Sequence, residues 1–150
     1  MIQRKQTLFL LLSIFCSIAL TLVNCNFLDV DGVKMGVSVS IIPVDNIKPN
    51  IWHFLGTAIN IASALLALIT IFTYKKRDLQ VKLCYGVLLL QLGITLIVSF
   101  CPVVELREGI KYESSLLTTV IGLVGMLSAY FAARYIKKDI ELLKSAERIR

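Results

Sequence analysis

Residues 51–100 read IWHFLGTAINIASALLALITIFTYKKRDLQVKLCYGVLLLQLGITLIVSF, and this stretch decides the fold. Its first 23 residues, 51–73, contain no Asp, Glu, Lys or Arg, and neither do its last 18, 83–100. Between them lies a knot of charge: Lys75, Lys76, Arg77, Asp78 and Lys82. A helix needs about 20 mostly apolar residues to cross the hydrocarbon core of a bilayer. Two such runs joined by a short basic link read as a helical hairpin through a membrane, with the link as its turn.

Two further runs flank the hairpin. Residues 7–23 are uncharged, and residues 116–136 carry only Arg134. The four runs take more than half of the 150 residues, and what remains is too divided to form a soluble core. The chain is 57% hydrophobic with mean hydropathy +0.78, whereas soluble domains are about 45–50% apolar. The expectation is one all-α membrane domain, 1–150, built as a four-transmembrane-helix bundle.

Net charge is +6, and its distribution is more informative than its size. The N-terminal tail, Tyr74–Lys82 and the end from Arg134 hold 12 of the 16 Lys and Arg but 4 of the 10 acids. The alternate segments, 24–50 and 101–115, hold 4 basic and 6 acidic residues. That asymmetry follows the positive-inside rule for short loops. It predicts both termini and the central turn in the cytoplasm, and assigns the excess charge to orientation rather than to nucleic acid. After Ile136, the residues Ile140 and Leu143 continue a helical period between Lys137, Lys138, Glu141, Lys144 and Arg148. Residues 137–150 therefore read as a basic amphipathic helix on the same side. Lys75, Lys76, Arg77, Lys82, Lys137 and Lys138 form the expected face toward anionic lipid headgroups, at about 1 kcal/mol per basic residue near the surface.

Other local readings leave alternatives open. Arg4 and Lys5 before an apolar run also describe a secretory signal. Leu22, Val23 and Asn24 precede Cys25 as in a lipoprotein box, but Asn24 is a poor residue there and no Ala-x-Ala site follows, so an uncleaved first span is expected. In the first external segment, Val33, Met35, Val37, Val39 and Ile41 alternate with polar or small residues, the period of a half-buried strand. With "VVELREGIKYES" (103–114) this allows a small external sheet; the competing reading is flexible loops. Pro43 limits order in that segment, and Pro49 suits the start of the second helix. Trp52, Tyr74, Tyr112 and Tyr135 bracket spans two and four as interfacial aromatics do.

The inventory of reactive groups is short. No span contains an acid, which argues against an ion-coupled pump. No phosphate-binding glycine loop, nucleophile elbow or zinc-binding helix is present. His53 is the single histidine and fits an interfacial position; Ser114 and Ser115 have no histidine near them in sequence. No cofactor, metal site or enzymatic activity is expected. Asn60 and Gln91 lie near the middles of spans two and three, where an amide pair could bond across the bundle; interhelical glue outranks a substrate site. Gly125, Ala129 and Ala133 form a small-residue ridge, as do Gly56, Asn60 and Ala64, suited to a neighbouring span or a second copy of the protein. Cys25 and Cys101 would lie at the outer ends of spans one and three, where either a disulfide or two free thiols fits.

Three stretches together resemble a known family. Ile2-Gln3-Arg4 opens the chain, Lys76-x-x-Leu79-Gln80-x-x-Leu83-Cys84 sits in the centre, and Lys138-Asp139 with Arg148-x-Arg150 closes it. The chain resembles a Bacteroidota family of small four-span proteins catalogued as a domain of unknown function. The resemblance runs the length of the chain, except for the external loops. Where that family is expected to carry a polar residue, often Asn, this chain has Gly86. The resemblance implies a bacterial inner membrane and adds no reaction. The expected function is a non-enzymatic scaffold, assembly factor or complex subunit. The alternative is a protein that binds or moves a lipid or small molecule. Expected partners are the bilayer and a membrane-complex protein or second copy.

Overall fold

The computed structural model describes residues 3–22, 26–30, 33–37, 51–100, 110–113 and 115–148. Four helices carry the fold: α1 (Gln3–Leu22), α2 (Ile51–Phe72), α3 (Arg77–Phe100) and α4 (Leu116–Arg148). All four are long and apolar enough to cross a membrane. α1 packs on α2 and α4, and α3 packs on α2 and α4, so the helices close a ring in chain order.

The buried positions explain why the ring closes. On α1 they include Gln6, Leu10, Ser13, Ser17 and Leu20; on α2 they are Gly56, Asn60, Ser63, Ala67 and Thr70. On α3 the series runs Gln80, Cys84, Val87, Gln91, Ile94 and Val98, and on α4 it runs Thr118, Gly122, Gly125, Ala129, Ala132 and Ile136. Every series steps by four and three alternately, a repeat of 3.5 residues. That repeat keeps one stripe of each helix against its neighbours in a left-handed bundle.

The stripe mixes small and polar residues with a few leucines, isoleucines and valines, and the exterior is large and apolar. Leu8, Phe15, Phe54, Phe72, Leu89 and Phe100 are between 63% and 79% exposed. In water such a surface would drive aggregation. In lipid the tails are as apolar as leucine, so large side chains can face outward while small ones let the backbones approach. Residues with hydroxyl or amide groups then turn inward, where another helix can accept their hydrogen bonds.

Helix limits exceed the apolar runs at two places. α3 begins at Arg77, six residues before the run at Leu83. The Gln80 N–H bonds to the Lys76 carbonyl at 3.0 Å, and Asp78 places a negative charge in the first turn, where the helix dipole favours it. α4 continues without a break through Lys137 and Lys138 to Arg148, so span and amphipathic extension are one helix. Ser115 caps its start: its hydroxyl accepts the Leu117 N–H at 3.1 Å.

At the opposite end from the α2–α3 turn lie three short strands, β1 (Asn26–Val30), β2 (Val33–Val37) and β3 (Ile110–Glu113), in the order β2-β1-β3. Both pairings are antiparallel, with Val30 opposite Val33 and Leu28 opposite both Met35 and Tyr112. Asp29 stands in register with Lys34 on one side and Lys111 on the other. β2 covers the first part of the alternating stretch; Val39, Ile41, Pro43 and Pro49 lie outside the described residues.

Candidate functional site: the polar interior and the basic end

The interior is organised by α1. Asn60 Nδ2 donates to the Ser17 carbonyl at 3.0 Å and to Thr21 Oγ1 at 2.8 Å. Gln91 Nε2 donates to Ser17 Oγ at 2.6 Å and toward the Ser13 carbonyl at 3.5 Å. Asn60 and Gln91 thus converge on Ser17 of α1; they are not bonded to each other, which corrects the expected amide pair. The reason is geometric: α1 contacts α2 directly, and the Ser13–Ser17–Thr21 ladder offers carbonyls and hydroxyls at the depth of both amides. Elsewhere, hydroxyls return to their own helices, Thr57 to the His53 carbonyl, Thr70 to Leu66 and Thr95 to Gln91, at 2.7 to 2.8 Å. Ser99 and Thr119 bridge α3 and α4 at 3.0 Å. Asn60 Oδ1 and Gln91 Oε1 remain buried without a hydrogen-bond partner. No described residue in these layers is acidic, so the interior holds dipoles and no fixed charge.

The small-residue ridge of α4 is consumed inside the bundle. Gly125 faces Gln91 and Cys16, whose atoms would lie 3.0 to 3.2 Å from a Cβ placed there. Ala129 packs with Ala67 and Val87, and Ala133 with Leu10, Val81, Cys84 and Ile136. The ridge therefore serves α1, α2 and α3 and is not open to a second copy. Cys16 and Cys84 are buried free thiols. Cys25 and Cys101 lie outside the described residues, as does the Tyr112 side chain.

At the turn end the basic residues acquire a fixed frame. Arg77 Nη1 lies 2.6 Å from Asp139 Oδ2, tying the first turn of α3 to the extension of α4. Its N–H is not aligned with that oxygen, so charge rather than a linear hydrogen bond holds the pair. Lys137 Nζ sits 5.1 Å from the centre of the Tyr85 ring, a second tie between the same helices. Phe9 stacks on Tyr135 at 5.5 Å and meets Phe131 at 5.7 Å, joining α1 to α4 on the same level. A groove of about 390 Å³ opens between turn and extension, lined by Lys75, Lys76, Arg77, Asp78, Ile140, Leu143 and Lys144. Lys82 and Lys138 are exposed beside it in sequence.

Gln80 is the uncharged residue of the basic turn, where orientation asks only for lysine and arginine, and it is expected to bond to the end of a neighbouring helix. It is buried, and its Nε2 donates to the Thr70 carbonyl at 3.1 Å. That carbonyl belongs to the last turn of α2, where its one backbone donor is the Thr73 N–H at 3.3 Å. Gln80 is a side-chain cap across the hairpin.

A closed ring of four apolar helices, polar within and greasy without, defines a small multi-pass membrane protein. The chain belongs to the family described as a domain of unknown function, DUF4293, whose pattern matches residues 2–149. No curated protein and no solved structure matches it.

Proposed function

We propose that the protein is a non-enzymatic membrane scaffold or complex subunit that presents a preformed surface at its basic end. The observation that carries this reading is the Arg77–Asp139 pair, which fixes the turn against the helical extension of α4. Leu143, 46% exposed, lines the groove with Lys75, Lys76 and Lys144, and Leu142, next to it in sequence, is 49% exposed. An apolar pair framed by lysines, held rigid before any partner arrives, suits an acidic or amphipathic segment of another protein.

The orientation belongs to the same proposal. Both termini and the Tyr74–Lys82 turn face the cytoplasm of a bacterial inner membrane; the charge asymmetry supports this. The family resemblance supports a Bacteroidota source. Alkaline phosphatase fused after Arg150 should be inactive and a fluorescent protein bright; the reverse pattern would refute the orientation. The scaffold reading is tested by purification from the native membrane in mild detergent. A stoichiometric partner is expected with the wild type and lost from Leu142→Asp/Leu143→Asp. A partner retained equally by that variant, or none in either, would count against it.

A further inference from the structure

We propose that a second cavity at the basic end is a binding site for a phosphate group, filled in the membrane by the headgroup of an anionic phospholipid. The cavity is about 270 Å³ and is lined by Gln6, Thr7, Ile71, Tyr74, Arg77 and Gln80. This inference stands apart from the scaffold reading, because it uses the α1 side of Arg77 rather than the α4 side.

Gln6 supplies the first argument. It is 5% exposed, and its Nε2 has no hydrogen-bond partner. A buried N–H without an acceptor is costly, and a ligand oxygen would remove that cost. Arg77 supplies the second. A guanidinium carries five N–H donors, and Nη1, which meets Asp139 by charge, has no hydrogen-bond partner, so donor capacity remains for an anion. The third is the start of α3 at Arg77, where free backbone N–H groups and the positive end of the helix dipole favour negative charge.

The opposing dipole at the end of α2 is partly offset. The Thr70 carbonyl is taken by Gln80 Nε2, the Ile69 carbonyl by the N–H and hydroxyl of Thr73, and the Thr73 carbonyl by the Lys76 N–H. No acidic side chain lines the cavity. The site is therefore rich in donors and free of a carboxylate in its lining.

Position identifies the source of the phosphate. Leu8 and Phe72, next in sequence to the lining residues Thr7 and Ile71, are 64% and 72% exposed on the apolar exterior. A headgroup in the cavity leaves its acyl chains against that exterior. The volume lies just below the range of about 300–1,000 Å³ for small-molecule sites and suits a headgroup rather than a whole lipid.

The test uses full-length protein in detergent, with native mass spectrometry and thermal unfolding as readouts. The probes are phosphatidylglycerol, phosphatidylcholine with the same acyl chains, and inorganic phosphate. Phosphatidylglycerol should be retained selectively and raise the unfolding midpoint. Gln6→Leu should fold as well as the wild type and hold phosphatidylglycerol about tenfold more weakly, the loss of one charge-assisted hydrogen bond. Arg77→Gln should lose the lipid, whereas Asp139→Asn, which breaks the same ion pair but keeps the cation, should retain it. Equal retention of both lipids, or full retention by Gln6→Leu or Arg77→Gln, would overturn the site. Inorganic phosphate stabilising as strongly as phosphatidylglycerol, and losing that effect in Gln6→Leu, would support the phosphate chemistry and overturn its lipid source.

Discussion

The contact between α3 and α4 allows a quantitative test of the packing. At Gly122 an added Cβ would stand 2.9 Å from Thr95 Cγ2 and 3.0 Å from Thr95 Cβ, and would overlap Thr95 Oγ1. Carbon atoms at optimal separation are about 3.5–4.0 Å apart. Thr95 cannot swing aside cheaply: it is β-branched, and its hydroxyl donates to the Gln91 carbonyl at 2.7 Å. Gly122→Ala must therefore push α4 off α3 or force Thr95 from its rotamer, and overpacking of this kind costs about 1–3 kcal/mol. Replacing glycine by alanine inside a helix also gains about 1 kcal/mol of propensity. Gly93 on α3 separates the two effects, because its added Cβ would meet nothing within 4 Å. Gly93→Ala should be neutral or stabilising, and Gly122→Ala should fall below it by the overpacking cost of about 1–3 kcal/mol. Reversible unfolding in mixed micelles, followed by circular dichroism, measures both. Thr95→Ala in the Gly122→Ala background removes two of the three close atoms, so the pair should couple by more than about 0.5 kcal/mol. Equal stability of the two glycine variants would refute the close approach of α3 and α4.

Four further outcomes are expected. A double-mutant cycle between Ser17→Ala and Gln91→Leu should show coupling near the membrane average of about 0.6 kcal/mol. Ser17→Ala and Asn60→Leu should instead be additive, because Asn60 uses the Ser17 carbonyl and the Thr21 hydroxyl; the same unfolding assay reads both. In a Cys25→Ser/Cys101→Ser background, maleimide should leave Cys16 and Cys84 unlabelled until denaturant is added, and rapid labelling of the native protein would contradict their burial. Gln80→Leu should cost about 0.5–1.5 kcal/mol by removing its side-chain bond to the Thr70 carbonyl. Asp139→Asn should cost less, near the 0–1 kcal/mol range of partly exposed pairs, and should speed trypsin cleavage after Lys137 and Lys138.

The four spans were legible because the bilayer imposes a length and a composition that hydropathy reports directly. Asn60 and Gln91 were legible for the same reason, as amides in apolar surroundings. Their partners were not. Ser13 and Ser17 barely disturb the hydropathy of 7–23, so Gln91 stood out as the conspicuous match to Asn60. The spacing of Gln6, Leu10, Ser13, Ser17 and Leu20 carried the missing signal, since small and polar residues there share one 3.5-residue stripe with two leucines. β1 was hidden as well, because Asn-Phe-Leu-Asp-Val alternates only weakly. Asp31-Gly32 between two paired valines is the hairpin signal that would have found it. The start of α3 at Arg77 lies outside the apolar run because capping and charge begin a helix, whereas apolarity only marks where lipid does.

What fixes the register of α1 is a combination of repeating and unique positions. An apolar exterior does not select a partner in lipid, so selection falls to the inner stripe. A slip of one residue would turn Ser17 by about 100° away from both amides. A slip of four is the more serious competitor, because Ser13, Ser17 and Thr21 repeat at that interval and would offer a similar ladder. Leu10 breaks the degeneracy. It is 1% exposed in a cluster with Val81, Cys84, Ala132, Ala133 and Ile136. A shift of four residues in one direction hands that place to Gln6 and buries an amide among apolar side chains. A shift in the other direction brings in Ile14 but drives Leu10 into the cavity beside Arg77 and Gln80. Each error strands a polar group in an apolar place or the reverse, at a cost of about 1–3 kcal/mol. The cavity at the basic end is thus part of the register: its polarity excludes Leu10 whether or not a phosphate fills it.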